Sequence, residues 1–471
     1  MHREFHYAII HSIILYQGDF LANYEQRLGT QKMLPLIFSM ALPTVAAQLV
    51  NLLYSIVDRI FIGHIPDTGT DALAGIGITS SIIILLAAFA QIVGSGGAPL
   101  AAICLGSGDR EKAGKFLGNG FVLLIIFSVV LCIPVYIFMK PILYLVGASD
   151  VTYTYAFDYL SVYLTGTLFV MLTTGLNTFI NAQGRSKIAM CSVLIGAVTN
   201  ICLDPLFIYV FDMGVKGAAV ATVISQLLSA LFITGFLFSK KASLRIEKKY
   251  MKPESAIIKK MFSLGIAPFI MASTESLIGF VFNSTLKLYG DVYVSALTIM
   301  QSAIQIVGVP LSGFSQGFVP IISYNYGNGN TKRIKECFRI AMTVMFSFNF
   351  VLLVFMAVFP ELTASLFTKD AELIAVVGQY MPYFVTGMTI FGLQRCCQNM
   401  FVALGQAKIS LFIALLRKVI LLVPLVYLFS HLFGITGVYT AESVADALAA
   451  TICTIIFTIK FPKILKEKRS V

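Results

Sequence analysis

Twelve long apolar runs follow one another along this chain, and they constrain its fold more than any other feature. Each run reaches the length of about 20 residues that a helix needs to cross a bilayer. Barrel strands would be about 10 residues long and strictly alternating, so the runs predict helices. They cover 36–62, 73–105, 117–139, 152–182, 187–211, 214–239, 262–288, 293–326, 337–359, 372–404, 408–432 and 434–459.

The overall composition agrees with a surface that faces lipid. Of the 471 residues, 58% are hydrophobic and only 12% are charged, whereas a soluble domain carries about 25% charged residues. A net charge of +11 would suggest nucleic-acid binding in a soluble protein. Here the basic residues lie between the apolar runs, which indicates membrane topology. We therefore predict an all-α membrane protein whose partner is the lipid bilayer and not nucleic acid.

The basic residues are distributed very unequally between the two sides of the predicted membrane. The N-terminal side, the loops after the even-numbered runs and the C-terminal tail together carry 26 Lys and Arg residues. The opposite side carries four, namely Lys140, Lys216, Lys287 and Lys369. Because short cytoplasmic loops are enriched in Lys and Arg, both termini are expected to be cytoplasmic, in a plasma (inner) membrane.

Glycine and proline residues recur at an offset near 221, which indicates an internal repeat. The matches are Pro99 with Pro320, Gly166 with Gly387, Gly184 with Gly405, and Gly214-x-x-Gly217 with Gly434-x-x-Gly437. Six runs per half preserve the topology, so we predict two parallel six-helix repeats related by a pseudo-two-fold axis along the membrane normal. A central cleft between such halves favours a secondary transporter.

The repeat and the charges divide the chain into five predicted segments. These are an N-terminal cytoplasmic segment 1–33, an N-lobe 34–239, a basic linker 240–260, a C-lobe 261–460 and a basic tail 461–471. The linker is the longest basic stretch, and we interpret it as an orienting connection between the halves, with contact to anionic lipid headgroups as the alternative.

Ionisable residues inside the runs are candidates for function, because each costs about 2.5–3.5 kcal/mol at mid-helix. Asn200 and Asp204 are four residues apart, so they share one helix face, and Pro205 follows directly. An amide beside a carboxylate suits H⁺ or Na⁺, and a hydrogen bond between helices is the alternative. Asp58 precedes Arg59, which can extend outward while Asp58 faces the bundle. An interfacial ion pair between these two residues is equally consistent with the sequence.

The second half carries its own charged and polar residues. We expect Glu275 to attract a cation or carry a proton, or alternatively to pair with Gln301 or Gln305. Arg395 is expected to neutralise an acid, with Glu275 as the candidate, while Arg417-Lys418 can extend toward the cytoplasm. The expected lining of the substrate cleft is Glu275, Asn283, Gln301, Gln305 and Arg395.

The sequence contains none of the motifs that would make the chain an enzyme. The stretch from Gly108 to Lys115 lacks the spacing and the Ser or Thr of a nucleotide-binding loop. No HExxH zinc motif occurs, and no nucleophile–base pair is visible. We predict no enzyme activity, no cofactor, no metal and no nucleotide partner, so an ion gradient would supply the energy.

The residues in these runs resemble the multidrug and toxic compound extrusion (MATE) transporters over 33–460. The most specific matches are Ile56 to Gly63 in the first run, Asn200-x-x-x-Asp204-Pro205 in the fifth, and Ala182-Gln183-Gly184 closing the fourth. The resemblance implies export of bulky, often cationic small-molecule drugs in exchange for H⁺ or Na⁺. It also implies a cation-coupling site at Asp58, Asn200, Asp204, Thr222 and Tyr159, the last two assigned by spacing.

Three other functions remain as alternatives. A lipid-linked oligosaccharide flippase shares the general architecture, although its cleft would carry several Arg or Lys residues, and here only Arg395 and Arg417-Lys418 qualify. A channel or a passive scaffold would not require paired acids in both halves. The sequence carries no signal for an oligomer, so a monomer is expected.

Overall fold

The computed structural model describes residues 25–66 and 68–466, without the side chain of Ser276. The predicted N-terminal segment and basic tail therefore lie partly outside the described residues. Helix is the regular secondary structure of the described chain. Because lipid offers no partner to backbone N–H and C=O groups, helices satisfy them internally.

The N-lobe contains eight α-helices. α7 continues directly into a π-helix, Leu206–Val210, just after Pro205. The helices are α1 (Met33–Gly63), α2 (Gly69–Gly106), α3 (Arg110–Ile137), the short α4 (Met139–Leu145), α5 (Asp150–Thr165), α6 (Thr167–Ala182), α7 (Ser186–Pro205) and α8 (Gly214–Phe238).

The C-lobe repeats this order of elements. A 3₁₀ turn at Gly387–Ile390 joins α13 to α14, and a π-helix at Leu416–Leu422 follows α15. The helices are α9 (Ser255–Lys287), α10 (Asp291–Asn328), α11 (Thr331–Val358), the short α12 (Pro360–Ser365), α13 (Ala371–Val385), α14 (Phe391–Ala403), α15 (Ala407–Leu415) and α16 (Val423–Lys466).

The described helices form twelve membrane crossings. Nine stretches are long and apolar enough to cross alone, and two bent pairs, α5–α6 and α13–α14, each form one broken crossing. One of the nine runs for 60 residues from Ala407 to Lys466, about three bilayer thicknesses at about 1.5 Å per residue. Gly434, with φ 60° and ψ −138°, interrupts it and divides it into two crossings. The prediction of twelve helices in two repeats is confirmed.

The repeat is visible in the backbone as well as in the sequence. The bend between α5 and α6 lies at Gly166, and the bend between α13 and α14 lies next to Gly387. Left-handed φ angles, which glycine adopts without steric cost, also occur in matching pairs. These pairs are Gly108 (84°) with Gly329 (85°), Gly184 (77°) with Gly405 (69°), and Gly214 (53°) with Gly434 (60°).

The two lobes meet through their first two crossings. α1 packs on α10, and α2 packs on both α9 and α10. At the end of the molecule that carries the Lys- and Arg-rich loops, which we call the basic end, α2 and α10 touch backbone to backbone. A Cβ added at Gly106 would lie 2.0 Å from the Tyr324 carbonyl oxygen, and one added at Gly327 would lie 1.9 Å from the Ile103 carbonyl oxygen.

Residues 25–30, which we call the strap, bridge both lobes at the basic end. Glu25 accepts a hydrogen bond from Arg110 Nη2 at 2.7 Å in the N-lobe. The Leu28 carbonyl accepts from Asn325 Nδ2 at 2.8 Å and from Arg333 Nη2 at 3.1 Å in the C-lobe. Glu25 and Leu28 are both buried, so the strap is packed against the bundle.

The predicted basic linker is also docked, against the N-lobe. The Leu244 N–H donates to Gln183 Oε1 at 2.9 Å. Asn119 Nδ2 donates to the Tyr250 carbonyl at 3.1 Å, and Asn119 Oδ1 accepts from the Glu254 N–H at 2.7 Å. The last six residues of the predicted linker, 255–260, belong to α9, so the connection between the lobes is shorter than the sequence suggests.

Candidate functional site

Two carboxyl groups face each other inside the N-lobe. Asp58 on α1 is 9% exposed, and Asp204 near the end of α7 is fully buried. Their carboxyl groups lie within hydrogen-bonding reach of each other. Arg59, one residue further along α1, is exposed, because successive side chains on a helix diverge by about 100°.

An amide and two hydroxyl groups complete this cluster. Asn200 Nδ2 donates to Asp204 Oδ1 at 3.1 Å, as the four-residue spacing predicts, and lies 3.5 Å from Thr222 Oγ1 on α8. Tyr159 on α5 interacts with the Thr222 side chain and lies near Asp58. The structure therefore brings together all five residues that the family resemblance implies for cation coupling. We call this set the coupling cluster.

The coupling cluster contains oxygen atoms without a hydrogen-bond donor. Among the described residues, Asp58 Oδ1, Asp204 Oδ2 and Asn200 Oδ1 are all buried and have no partner. Leaving such a group unpaired costs about 1–3 kcal/mol. Three unpaired acceptors in one cluster are suited to a proton or to a hard cation, which takes oxygen ligands.

Two aromatic residues border the coupling cluster. Tyr163 stacks on Tyr159 with ring centroids 6.0 Å apart and an interplanar angle of 18°. Tyr54, one turn before Asp58 on α1, lies near enough to Asp58 and Asp204 to interact electrostatically with both. Sequence reasoning named Tyr159 but missed Tyr54, although its spacing of four residues from Asp58 was available as a signal.

The coupling cluster lies at the wall of a cavity of about 520 Å³, which we call the N-lobe cavity. Asn200, Thr222, Tyr54 and Tyr163 all line it. The lining residues are polar or apolar but uncharged, with many amide and hydroxyl groups. A compound in this cavity would therefore meet hydrogen-bonding groups next to the coupling acids.

A second cavity of about 400 Å³ lies between the lobes, and we call it the interlobe cavity. Residues of α2 and α6 line one side, and residues of α9, α10 and α14 line the other. The two cavities adjoin because five residues line both, namely Gln91, Ser95, Thr178, Asn181 and Gln316.

The C-lobe holds a network of charges, in which Arg417, Lys418, Glu442 and Asp446 are buried and Glu275 is exposed to the interlobe cavity. Arg417 donates from Nη2 to Asp446 Oδ2 at 2.9 Å, and its Nη2 also lies 3.4 Å from Glu442 Oε1. Lys418 Nζ lies 3.1 Å from Glu275 Oε1. Arg417 and Lys418 are only 8% and 4% exposed, so the prediction that they extend toward the cytoplasm is wrong. Their pairing with acids from α9 and α16 holds them inside the bundle.

Sequence reasoning missed both acids of α16. Glu442 and Asp446 are four residues apart in the last apolar run, the same spacing that made Asn200 and Asp204 noticeable. That spacing was the available signal. It predicts a shared helix face, which the structure turns toward Arg417.

The residues predicted to line the substrate cleft divide into two groups. Glu275 and Arg395 line the interlobe cavity, but Glu275 pairs with Lys418 and not with Gln301, Gln305 or Arg395. Asn283, Gln301 and Gln305 are exposed and are absent from the lining of both cavities. Their role in the cleft stays a prediction.

Curated proteins of known function are similar to this chain over most of its length. Multidrug export protein MepA from Staphylococcus haemolyticus is 26% identical over 416 residues, covering 88% of this chain and 91% of that protein. Multidrug export protein MepA from Staphylococcus aureus is 27% identical over 423 residues, with the same coverage.

Solved structures share the fold. A crystal structure of MATE in the bent conformation matches with a TM-score of 0.87 and 22% identity, covering 94% of this chain and 98% of that chain. An outward-facing multidrug resistance MATE family transporter of the MOP superfamily matches with a TM-score of 0.86 at 22% identity and the same coverage. The MatE family profile matches 43–206 and 268–428. These matches cover both lobes and more than half of the chain, so the protein belongs to the MatE family of membrane transporters.

Proposed function

We propose that this protein is a secondary active multidrug efflux transporter, which exchanges cationic or amphipathic drugs for H⁺ or Na⁺. Its similarity to multidrug export proteins along 88% of the chain supports drug export. The observation that carries the coupling proposal is the set of unpaired oxygens on Asp58, Asp204 and Asn200. It marks a buried place where binding a cation would be favourable.

Either ion would relieve the same unfavourable arrangement. Two buried carboxyl groups this close do not both stay ionised without a cation, because their charges repel in a low-dielectric site. A proton on one carboxyl would donate to the other, while Na⁺ would take the unpaired oxygens as ligands. Asp58, Asn200 and Asp204 form the core of the site, and Thr222 and Tyr159 support it.

Alternating access would couple ion binding to export. The coupling cluster adjoins the N-lobe cavity, which opens into the interlobe cavity, so an ion and a drug would occupy neighbouring sites. Pro43 lies inside α1, and next to it Thr44 Oγ1 donates to the Gly313 carbonyl of α10 at 2.6 Å. Ion binding at Asp58 would bend α1 near Pro43, and exchange follows if ion and drug favour different states.

We place the transporter in the plasma membrane with its basic end in the cytoplasm. The asymmetry of 26 against four basic residues supports this orientation. The two lobes of one chain enclose both cavities, so a monomer would suffice for transport.

Reconstituted protein under an imposed ion gradient tests the proposal. Wild type, Asp204→Asn and Asp58→Asn would be placed in liposomes with a pH gradient or a Na⁺ gradient, and ethidium movement followed by fluorescence. We expect gradient-driven movement in wild type and a loss of about tenfold or more in both variants, because each removes a carboxylate that the cation needs. The gradient that drives movement identifies the ion.

Asp71→Asn is the matched control. It removes an exposed carboxylate from the first turn of α2 in the same lobe, and it should transport like wild type. If folded Asp204→Asn and Asp58→Asn also transport like wild type, the coupling cluster is structural. If neither gradient moves ethidium, multidrug exchange is not the activity, and movement of a lipid-linked oligosaccharide becomes the next assay.

The structure of the C-lobe argues against the alternative of a lipid-linked oligosaccharide flippase more strongly than the sequence does. Of the three basic residues that could bind a pyrophosphate, Arg417 and Lys418 are already paired with acids. A single arginine is a weaker pyrophosphate site than a cluster, because affinity for such groups grows with each charge-assisted hydrogen bond.

A further inference from the structure

We propose that Tyr209 is a positioning residue for ion binding, because its hydroxyl group connects α1 to the chain just after α7 and so holds Asp58 against Asp204. This inference rests on the proposed function, in which these two acids bind the coupling ion. Tyr209 would act through the two acids and would not itself contact the ion, since its hydroxyl group is already hydrogen-bonded.

Tyr209 lies at the end of the molecule opposite the basic end, close to the end of α1. Its hydroxyl group donates to the Phe61 carbonyl at 2.5 Å. Its ring meets the Phe61 ring edge to face, with centroids 6.3 Å apart. Phe61 belongs to the last turn of α1, where carbonyl groups lack the partner of a regular helix and can accept such a bond. We call this contact between Tyr209 and Phe61 the N-lobe tie.

The N-lobe tie lies about one helical turn beyond both acids. Phe61 follows Asp58 by three residues, and Tyr209 follows Asp204 by five. Three residues of α-helix rise about 4.5 Å. Tyr209 belongs to the π-helix Leu206–Val210, in which each N–H bonds five residues back, so five residues again amount to about one turn. The tie is therefore close enough to control how the two acids face each other.

The two acids need a contact of this kind because they repel each other. Two buried carboxylates that face each other without a cation between them push apart the helices that carry them, which here are α1 and α7. A hydrogen bond just beyond the acids opposes that separation, so the site stays assembled before the ion arrives. An assembled site binds more tightly, because the ion does not have to bring its ligands together.

The C-lobe connects the same two crossings, but with the donor exchanged. Tyr289, just after α9, donates its hydroxyl group to the Ser430 carbonyl at 3.1 Å. Here the tyrosine comes from the first crossing of the lobe, whereas Tyr209 comes from the fifth. Tyr209 and Ser430 are 221 residues apart and so match in the repeat. The two lobes therefore make the same connection with different residues, which indicates that the fold uses the contact itself at this place.

The contact in the C-lobe has no matching pair of acids to position. Asn283 matches Asp58 at the offset of 225 that relates the prolines inside α1 and α9. Val423 matches Asp204, since each directly precedes a proline. Neither Asn283 nor Val423 is ionisable, so we expect only the N-lobe tie to affect the binding of an ion.

The N-lobe tie can be removed without changing any charge near the acids. The ionisable side chains that interact with the two acids, among the described residues, are Tyr54 and Arg59 on α1 and Tyr159 on α5. Tyr209→Phe keeps the ring and removes only the hydroxyl group, which is neutral near pH 7. A change in ion binding in this variant would therefore come from the position of the acids.

Labelling with dicyclohexylcarbodiimide tests the inference without a gradient and without a drug. This apolar reagent modifies a buried carboxyl group when the group is protonated, and a bound Na⁺ would block the reaction. Purified protein in detergent is labelled over a range of pH without Na⁺, and over a range of Na⁺ at one pH. Mass spectrometry of the peptides that contain Asp58 and Asp204 measures the modification, and Asp204→Asn shows which acid reacts.

We expect Tyr209→Phe to need about fivefold more of the ion, H⁺ or Na⁺, for half of the labelling change, as the loss of one hydrogen bond implies. The change at saturating ion should stay the same. Tyr289→Phe is the matched control, because Tyr209 and Tyr289 are 38% and 37% exposed. It should lower Tm as much as Tyr209→Phe does and keep the ion dependence of wild type. Tyr209→Trp, which retains an N–H donor, should shift the ion dependence less than Tyr209→Phe.

Three outcomes would overturn the inference. They are an unchanged ion dependence in Tyr209→Phe, equal shifts in Tyr209→Phe and Tyr289→Phe, and labelling of wild type that depends on neither ion. If Tyr209→Phe does not fold, Tyr209→Trp against Tyr289→Trp makes the same comparison with a smaller expected shift. Failure of gradient-driven ethidium transport, with the labelling shift intact, would remove the exporter proposal and leave the positioning role standing.

Discussion

Gly106 and Gly327 occupy matching positions in the two lobes, and each lies against the backbone of the other's helix. Gly106 faces the Tyr324 carbonyl on α10, and Gly327 faces the Ile103 carbonyl on α2. Neither position has room for a Cβ atom, so the contact between the lobes at the basic end depends on two glycines from the repeat. Movement of the lobes about this contact would have to separate α2 from α10.

Alanine at Gly106 or at Gly327 should weaken the contact between α2 and α10 at the basic end. The added methyl would meet backbone at 2.0 Å or 1.9 Å, and overpacking of this kind costs about 1–3 kcal/mol. Spin labels at Lys187→Cys and Lys332→Cys, exposed residues on opposite lobes, should report longer distances in Gly106→Ala. Gly77→Ala is the control, because a Cβ there would meet no atom within 4 Å. Unchanged distances in both Gly106→Ala and Gly327→Ala would contradict the prediction.

The contact between the lobes at the basic end should also depend on pH, through Glu25 of the strap. Burial raises the pKa of Glu25 above its ordinary value, outweighing the opposite effects of Arg110, the Ser243 side chain and Arg185. The form in which the lobes are in contact at the basic end therefore binds the proton more tightly than a form in which Glu25 lies in water. The contact between the lobes should strengthen as the pH falls through the raised pKa of Glu25 and weaken as the pH rises.

The spin-label distance should therefore shorten on acidification of wild type. Glu25→Gln removes the titrating group, so the pH dependence at this position should flatten while the packing stays similar. Arg110→Gln, which removes the partner at 2.7 Å, should keep a pH dependence and move it to higher pH. A wild-type distance that lengthens on acidification would reverse the sign and exclude Glu25 as its cause.

The buried pair of Arg417 and Asp446 should be the most costly ion pair to break. Asp446→Asn would leave a buried guanidinium with only the longer contact to Glu442, and removing one partner of such a pair costs about 3–5 kcal/mol. Glu442→Gln removes the 3.4 Å contact alone and should cost about 1 kcal/mol. Thermal unfolding of both variants in detergent measures the difference. Equal shifts in Tm would contradict the prediction that Asp446→Asn is the more destabilising variant.

Asn119 should control how firmly the linker is bound. Its side chain makes three hydrogen bonds to linker backbone, at the Tyr250 and Lys252 carbonyls and the Glu254 N–H. Because each is worth about 0.5–1.5 kcal/mol, Asn119→Ala should release the segment and expose its basic residues. Limited trypsin digestion should cut near Lys248 and Lys252 faster than in wild type. The same rate in both proteins would mean that the other contacts, including the hydrogen bond from Leu244 to Gln183, hold the linker without Asn119.

The sequence predicts the fold well because the relevant signals are local. Run length determines the crossings, and glycines that need left-handed backbone, such as Gly184 and Gly405, mark the repeat without any knowledge of contacts. The core of the coupling cluster is predictable for a similar reason. Asn200 and Asp204 share a helix face by spacing alone, and Asp58 is noticeable as an acid inside an apolar run.

The C-lobe was harder to predict because its charges are neutralised across helices. Arg417 and Lys418 look like residues that extend to water, since nothing local to them is acidic. Their partners come from α16 and α9, and which faces meet is a property of packing. The exposure of Gln301 and Gln305 has the same origin, since a polar residue in an apolar run does not reveal which neighbour it faces.

The docked linker makes the two halves of a duplicated fold unequal. Residues 244–254 are bound through Gln183 and Asn119 to the first half, so the joint between the repeats is part of one of them. Two polypeptides separated just before Ser255, where α9 begins, would each retain six crossings, and only the first would carry the joint. A cut at that point would therefore leave the docked segment hydrogen-bonded to the first polypeptide, and the second would begin directly with a helix.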